Sequence, residues 1–289
     1  MHISRPLVLL IIAVFMVTAS ACSGSDDILS TTTPTPTTTP TSITTPTPIT
    51  TPIPTPIPTQ RNTSVIAPVT TTCVIQSPIN GQPNLFQNPG FETGASPWCV
   101  LSPPMFEVST ERCHSGQASA YMHLDEPVEA TGIMLRYLVQ EISPAEFPEF
   151  ISGYYRVDKW NKGTPKQYLQ FVIIVFESTN SPYIDYGVSN FQIRYPLAGI
   201  SEDPFKIGNA KFVYIGTEEP QIGEWVYFER NIKQDYEQLW GSVPEGFAFM
   251  RILFEVRYDD KEIGSSAEAK VYYDDLYLGI ANENPNLPL

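Results

Sequence analysis

The sequence predicts an all-β domain, a two-sheet antiparallel β-sandwich of jelly-roll type, behind a leader and a Thr/Pro stalk. Three observations predict it. Between positions 106 and 279 apolar and polar residues alternate in short runs broken by Gly, Pro and Asn. Aromatics make up 12% of the chain and include 15 Tyr, a composition suited to a pleated, half-buried surface. Only one short stretch, Asp235–Trp240, reads as helix, and many antiparallel strands with short turns favour two packed sheets.

Taken in order, the chain divides into 1–21, a signal peptide; 22–74, an anchor and stalk; and 75–289, the folded domain. Met1 to Arg5 carries one positive charge, and Leu7 to Ala21 is apolar with small residues at its end, the pattern of a secretory signal. The run is short for a membrane span, which needs about 20 residues. Cys22 follows Ala19-Ser20-Ala21 and resembles the lipid-bearing Cys of a bacterial lipobox, although Ala19 stands where such boxes usually have Leu. An uncleaved anchor, or a plain signal with Cys22 incidental, is the alternative. In each case the remainder lies outside the cytoplasm, at the cell surface or in the periplasm. With Cys22 lipidated, the lipid is the only membrane contact.

Thr31 to Thr59 is almost wholly Thr and Pro. Pro fixes φ and removes donors, Thr disfavours helix, and no apolar face exists to offset the entropy of ordering. Such a segment is extended, and as polyproline II some 40 residues reach about 120 Å.

Strands are expected at Phe106–Ser109, Ala118–Leu124, Ile133–Ile142, Phe150–Val157, Tyr168–Glu177, Phe191–Tyr195, Lys211–Ile215, Trp225–Ile232, Phe247–Tyr258 and Lys270–Gly279. The formal charge of −14 falls almost entirely after residue 85 and disfavours nucleic acid as a partner. Divalent cations and neutral ligands such as sugars stay compatible.

Several short motifs carry a resemblance. Asn84-Leu85, Asn88-Pro89-Gly90-Phe91-Glu92 and Trp98 are similar to the opening of jelly-roll carbohydrate-binding modules of the family 4, 9 and 22 type. His114 to Tyr121, Gln140, Tyr154 to Val157, Gly223-Glu224-Trp225 and Val271 to Leu278 resemble their later elements in order. The stretch from Ser178 to Gly208 has no counterpart. The resemblance implies a structural Ca2+ shared by the first and last strands, with Glu92, Asp274 and Asp275 as ligands and Asp274 the better of the pair; carboxylate oxygens suit that hard ion. The plainer reading is a turn carboxylate and a solvated acidic pair. It also implies core positions for Trp98 and Trp225.

Setting Cys22 aside leaves three cysteines. Cys99 and Cys113 would close a loop of about 14 residues, for which chain entropy gives about 3 kcal/mol. Cys73 is then free or pairs with another chain, and its pairing with either of the others stays open. Trp160 in a charged turn, and Tyr183 and Tyr186 in a polar loop, are the candidate sugar-stacking aromatics; folding back over the core is the alternative. No His has metal-ligand spacing, and nucleophile and phosphate-loop motifs are lacking. The function these features favour is a non-catalytic module for polysaccharide or glycan, with a protein-interaction domain of the envelope as the alternative and a divergent glycoside-active enzyme a more distant one.

Overall fold

The computed structural model describes residues 72–102, 106–163, 166–179, 190–201 and 209–288. The signal, Cys22, the stalk, Tyr183 and Tyr186 lie outside the described residues. No helix among the described residues is long and apolar enough to cross a membrane.

The described residues form ten strands and one helix: β1 (Glu107–Ser109), β2 (Ser119–Glu126), β3 (Gly132–Ile142), β4 (Phe150–Asn161), β5 (Gln167–Phe176), β6 (Asn190–Ala198), β7 (Lys211–Phe212), β8 (Trp225–Asn231), α1 (Ile232–Trp240), β9 (Phe249–Lys261) and β10 (Ala267–Gly279). Sheet I has the order β1-β2-β10-β4-β8 and sheet II the order β3-β9-β5-β6-β7. All pairings are antiparallel except β6 with β7. The architecture is the expected all-β sandwich.

The inner faces meet in an aromatic core. Phe254 on β9 lies at its centre, with the rings of Tyr273, Phe171, Phe228, Phe86 and Trp98 between 5.3 and 6.2 Å away. Trp98 is fully buried, as expected, and its indole N–H donates to the Asn88 carbonyl at 2.9 Å. α1 closes one end of the sandwich. The Asn231 side chain accepts from the Gln234 N–H at its start, and Gly241, at φ 87°, ends it in the left-handed conformation. Tyr236 of this helix is buried and its hydroxyl lies within hydrogen-bonding distance of the Ile173 and Phe191 carbonyls.

The cysteine pairing differs from the expected Cys99–Cys113. The disulfide joins Cys73 to Cys99, with Cα atoms 5.4 Å apart, and Cys113 is free. The cause is long-range register. Gln76 bridges Ile142 and Cys99 bridges Val139, so two segments far apart in sequence are laid along the same edge of β3. Cys113 instead belongs to the turn that enters β2. The folded part therefore takes in Cys73, two residues before the expected boundary.

Candidate functional site

Three clusters hold the chemistry-bearing side chains. The first is an acidic corner where the segment 88–92, the turn 113–118 and β10 meet. Asp274 is fully buried and Asp275 nearly so. The Asp274 carboxylate accepts from the backbone N–H of His114 (2.7 Å), Ser115 (3.3 Å) and Asp275 (2.8 Å). Asp275 accepts from the Ser115 hydroxyl and bonds His114 Nδ1, both at 2.6 Å, and the imidazole stacks on Tyr154 at 3.6 Å. Glu92 Oε1 accepts from the N–H groups of Gln117 and Ala118. Burial first, and then the neighbouring charge of Asp275, push Asp274 up to about 7 against the pull of those backbone bonds.

The structure thus brings together Glu92, Asp274 and Asp275, which the sequence separates by some 180 positions. Their fit to a hard cation can be judged at Gly90. A Cβ added there would lie 3.5 Å from Asp274 Oδ1, 3.9 Å from Asp275 Oδ1 and 3.9 Å from Glu92 Cγ, so the two Asp carboxylates and the Glu92 methylene border one small space while the Glu92 carboxylate lies against Gly116. The donor chemistry fits Ca2+. The oxygens are engaged by the 113–118 turn, and among the described residues no group of three or more His, Cys, Asp or Glu is arranged to hold a metal ion. Cys113 borders the corner, and burial, Asp274, Glu92 and Asp275 all push its thiol up.

The second cluster surrounds Trp160. This residue ends β4 rather than sitting in a turn. Asp158 is the extra residue of a bulge, because Val157 pairs with Val271 and Lys159 with Lys270. The bulge reverses the alternation, so Trp160 pairs with the buried Ala269 and packs, half-buried, against the core. Its N–H donates to Glu219 Oε2 at 2.6 Å, and Lys162 donates to the other oxygen of that carboxylate. Beside Glu219 a cavity of about 260 Å³ opens between the sheets, lined by Tyr155, Phe228, Tyr227, Glu218 and Gln221 among others. Trp225, expected in the core, is half-buried at the start of edge strand β8, where His114 meets it edge-on at 5.7 Å.

The third cluster went unnoticed in the sequence: a polar row on the outer face of sheet II. Along β9, Ile252, Phe254, Val256 and Tyr258 join the core, so Arg251, Glu255, Arg257 and Asp259 project from the opposite face. Register places Gln170 beside Glu255 and Tyr168 beside Arg257, while Gln192 and Arg194 lie opposite Ile174 and Val172. Gln170 donates to Glu255 (2.5 Å), Arg257 to Asp259 (2.7 Å), the Tyr168 hydroxyl to Asp259 (2.8 Å), and Arg194 to Gln192 (3.3 Å).

Each member of this row is at most 5% exposed. Yet Gln170 Oε1, Gln192 Nε2, Arg194 Nη1 and Arg257 Nη2 have no hydrogen-bond partner among the described residues. Burial lowers the basicity of Arg194, with the charge of Glu255 opposing. The signal was legible in β5, whose run YLQFVIIVF is apolar at both parities except at Gln170. A strand apolar on both faces belongs to a sheet covered on both sides. A glycosidase dyad of Glu255 with Glu177 is excluded by distance. Glu255 pairs with Gln170, which lies seven residues from Glu177, or roughly 23 Å along the strand.

No family model and no curated protein matches the sequence. Solved structures similar to this chain include the carbohydrate-binding module TmCBM61 in complex with β-1,4-galactotriose: 18% identity, TM-score 0.36, covering 68% of this chain and 98% of that one. A non-crystalline-cellulose-specific module, CBM28, matches at 12% identity and TM-score 0.34 over 71% of this chain and 99% of that one. The xylan-binding CBM22-1 domain of Paenibacillus barcinonensis Xyn10C matches at 12% and 0.31 over 66% and 92%. The enzymatically active domain of a bacteriophage CBA120 tailspike also matches, at 10% and 0.36, with 21% of its length covered.

Proposed function

We propose that this chain is a non-catalytic glycan-binding module, exported and held by a lipid on Cys22, with the outer face of sheet II as its binding face. The observation that carries this reading is the set of orphaned polar atoms on that face. A buried donor or acceptor without a partner costs about 1–3 kcal/mol, and folds rarely keep several on one surface without a use. Sugar hydroxyls, which both donate and accept, are the partners such a mixed row of amides, guanidinium groups and carboxylates fits. Because the row is buried, association slower than the ordinary 10⁵–10⁷ M⁻¹s⁻¹ range is expected.

Under the same proposal Glu92 and Asp274, with Asp275 beside them, hold a structural Ca2+ that ties the start of the domain to its last strand. The ion supplies no reaction chemistry there; it offsets clustered negative charge.

The test is a glycan array probed with the full chain and with its Gln192→Leu/Arg194→Met variant. Binding by the parent and its loss in the folded variant support the reading; no binding across the array refutes it. The cavity beside Trp160, with its aromatic, carboxylate and amide lining, favours a second seat. Loss of binding in Glu218→Ala, with Gln192→Leu/Arg194→Met unaffected, would place the glycan there. Palmitate labelling lost in Cys22→Ser tests the anchor, and labelling that persists overturns it.

A further inference from the structure

The orphaned atoms on the outer face of sheet II are unequal in kind, and their inequality bears on the ligand. Of the four such atoms carried by Gln170, Gln192, Arg194 and Arg257, three are donors: Gln192 Nε2, Arg194 Nη1 and Arg257 Nη2. One, Gln170 Oε1, is an acceptor. The carboxylates of the row are already committed. Asp259 accepts from Arg257 and Tyr168, and Glu255 accepts from Gln170 with Arg257 4.0 Å away. No carboxylate among the described residues lies within ion-pair distance of Arg194. Glu255 and Asp259 act on Arg194 only from beyond ion-pair distance, and a buried guanidinium without a direct anionic contact is more costly than a buried amide.

From this we infer that the glycan selected by this face carries carboxylates, as a uronic-acid polysaccharide does, one sugar carboxylate accepting from Arg194 and Gln192. This inference rests on the module reading above. A hydroxyl fills one lone-pair site and brings a donor the row has little use for. A carboxylate brings two oxygens, about four acceptor sites and no donor. The domain's net negative charge opposes a polyanion at long range, but at 0.15 M salt such repulsion is screened beyond about 8 Å, whereas a buried pair is screened much less.

The experiment compares oligogalacturonate with its fully methyl-esterified form of equal length, at 0.15 M salt, on the full chain. The ester keeps every ring and hydroxyl and removes only the charge. At least tenfold tighter binding of the free acid is expected, and Arg194→Met should reduce that preference to below threefold while near-ultraviolet circular dichroism stays unchanged. Arg257→Met serves as a second variant should the first fail to fold. Equal or tighter binding of the ester overturns the inference. Binding of neutral galactan, xylan or glucan without either galacturonate form also overturns it and leaves the module reading standing. Binding of none overturns both.

Discussion

A side chain kept for a ligand should be a burden to the unliganded fold, and the polar row on sheet II makes this measurable. Gln192 and Arg194 satisfy each other through one bond at 3.3 Å while Gln192 Nε2 and Arg194 Nη1 stay unpaired. Replacing both, as Gln192→Leu/Arg194→Met, removes two orphaned atoms worth about 1–3 kcal/mol each and forfeits one bond worth about 1 kcal/mol. Shape is nearly conserved, so no large cavity opens. The expected result is a gain of about 2 kcal/mol, read as a midpoint about 4–8 °C higher in thermal unfolding of a domain this size. The same variant should lose glycan binding, so stability and affinity move in opposite directions. A midpoint lowered by more than about 1 kcal/mol would show that the row is a structural network, and the argument from its orphaned atoms would fail.

Four further outcomes follow. Cys73→Ser should cost about 3.5 kcal/mol by the chain entropy of a loop spanning 26 positions, whereas Cys113→Ser should cost far less; the reverse order in urea melts would refute the pairing. Trp160→Ala should destabilise by about 2 kcal/mol, below the 3–5 expected for a fully buried aromatic, and an unchanged midpoint would mean that the ring does not pack on the core. Calcium at a hundredfold excess over its Kd should raise stability by about 2.7 kcal/mol over chelator in the parent and by much less in Glu92→Ala; equal midpoints for the parent in the two conditions count against the ion. Cys113, with its thiol pushed up by burial and three carboxylates, should alkylate more slowly than free cysteine at pH 8, and faster reaction would contradict that environment.

The strands were legible because alternation is local: all ten expected runs overlap observed strands, and the helix begins only three residues before its expected start. The acidic corner was reached through a resemblance, since nothing local ties Glu92 to Asp274. What escaped was non-local. The partner of Cys99 depends on which segments share the edge of β3, and spacing along the chain does not encode that. Trp160 escaped for a different reason. Its neighbours Asp158, Lys159 and Lys162 read as solvated, and a strand continued in plain alternation from Val157 would point the indole outward. One bulged residue turns it inward. The polar row was visible as Arg251, Glu255, Arg257 and Asp259 at every second or fourth position, but a sequence shows that one face is polar without showing that this face is buried.

The Cys73–Cys99 bond also decides how the domain bears load. A pull transmitted along the chain from upstream enters at Cys73 and crosses the covalent bridge to Cys99. The residues between them, including the Gln76–Ile142 bridge and the buried Phe86, Phe91 and Trp98, lie in a closed loop that carries no tension. Glu92, which clasps the 113–118 turn, sits in the same sheltered loop. Without the bond a steady pull would peel this opening segment from the sandwich residue by residue, uncovering first the edge of β3 and then the acidic corner. With it, the first contacts to feel force are the two backbone bonds between Cys99 and Val139, loaded together. For any pull that reaches Cys73 along the chain, the bond acts as a strain relief.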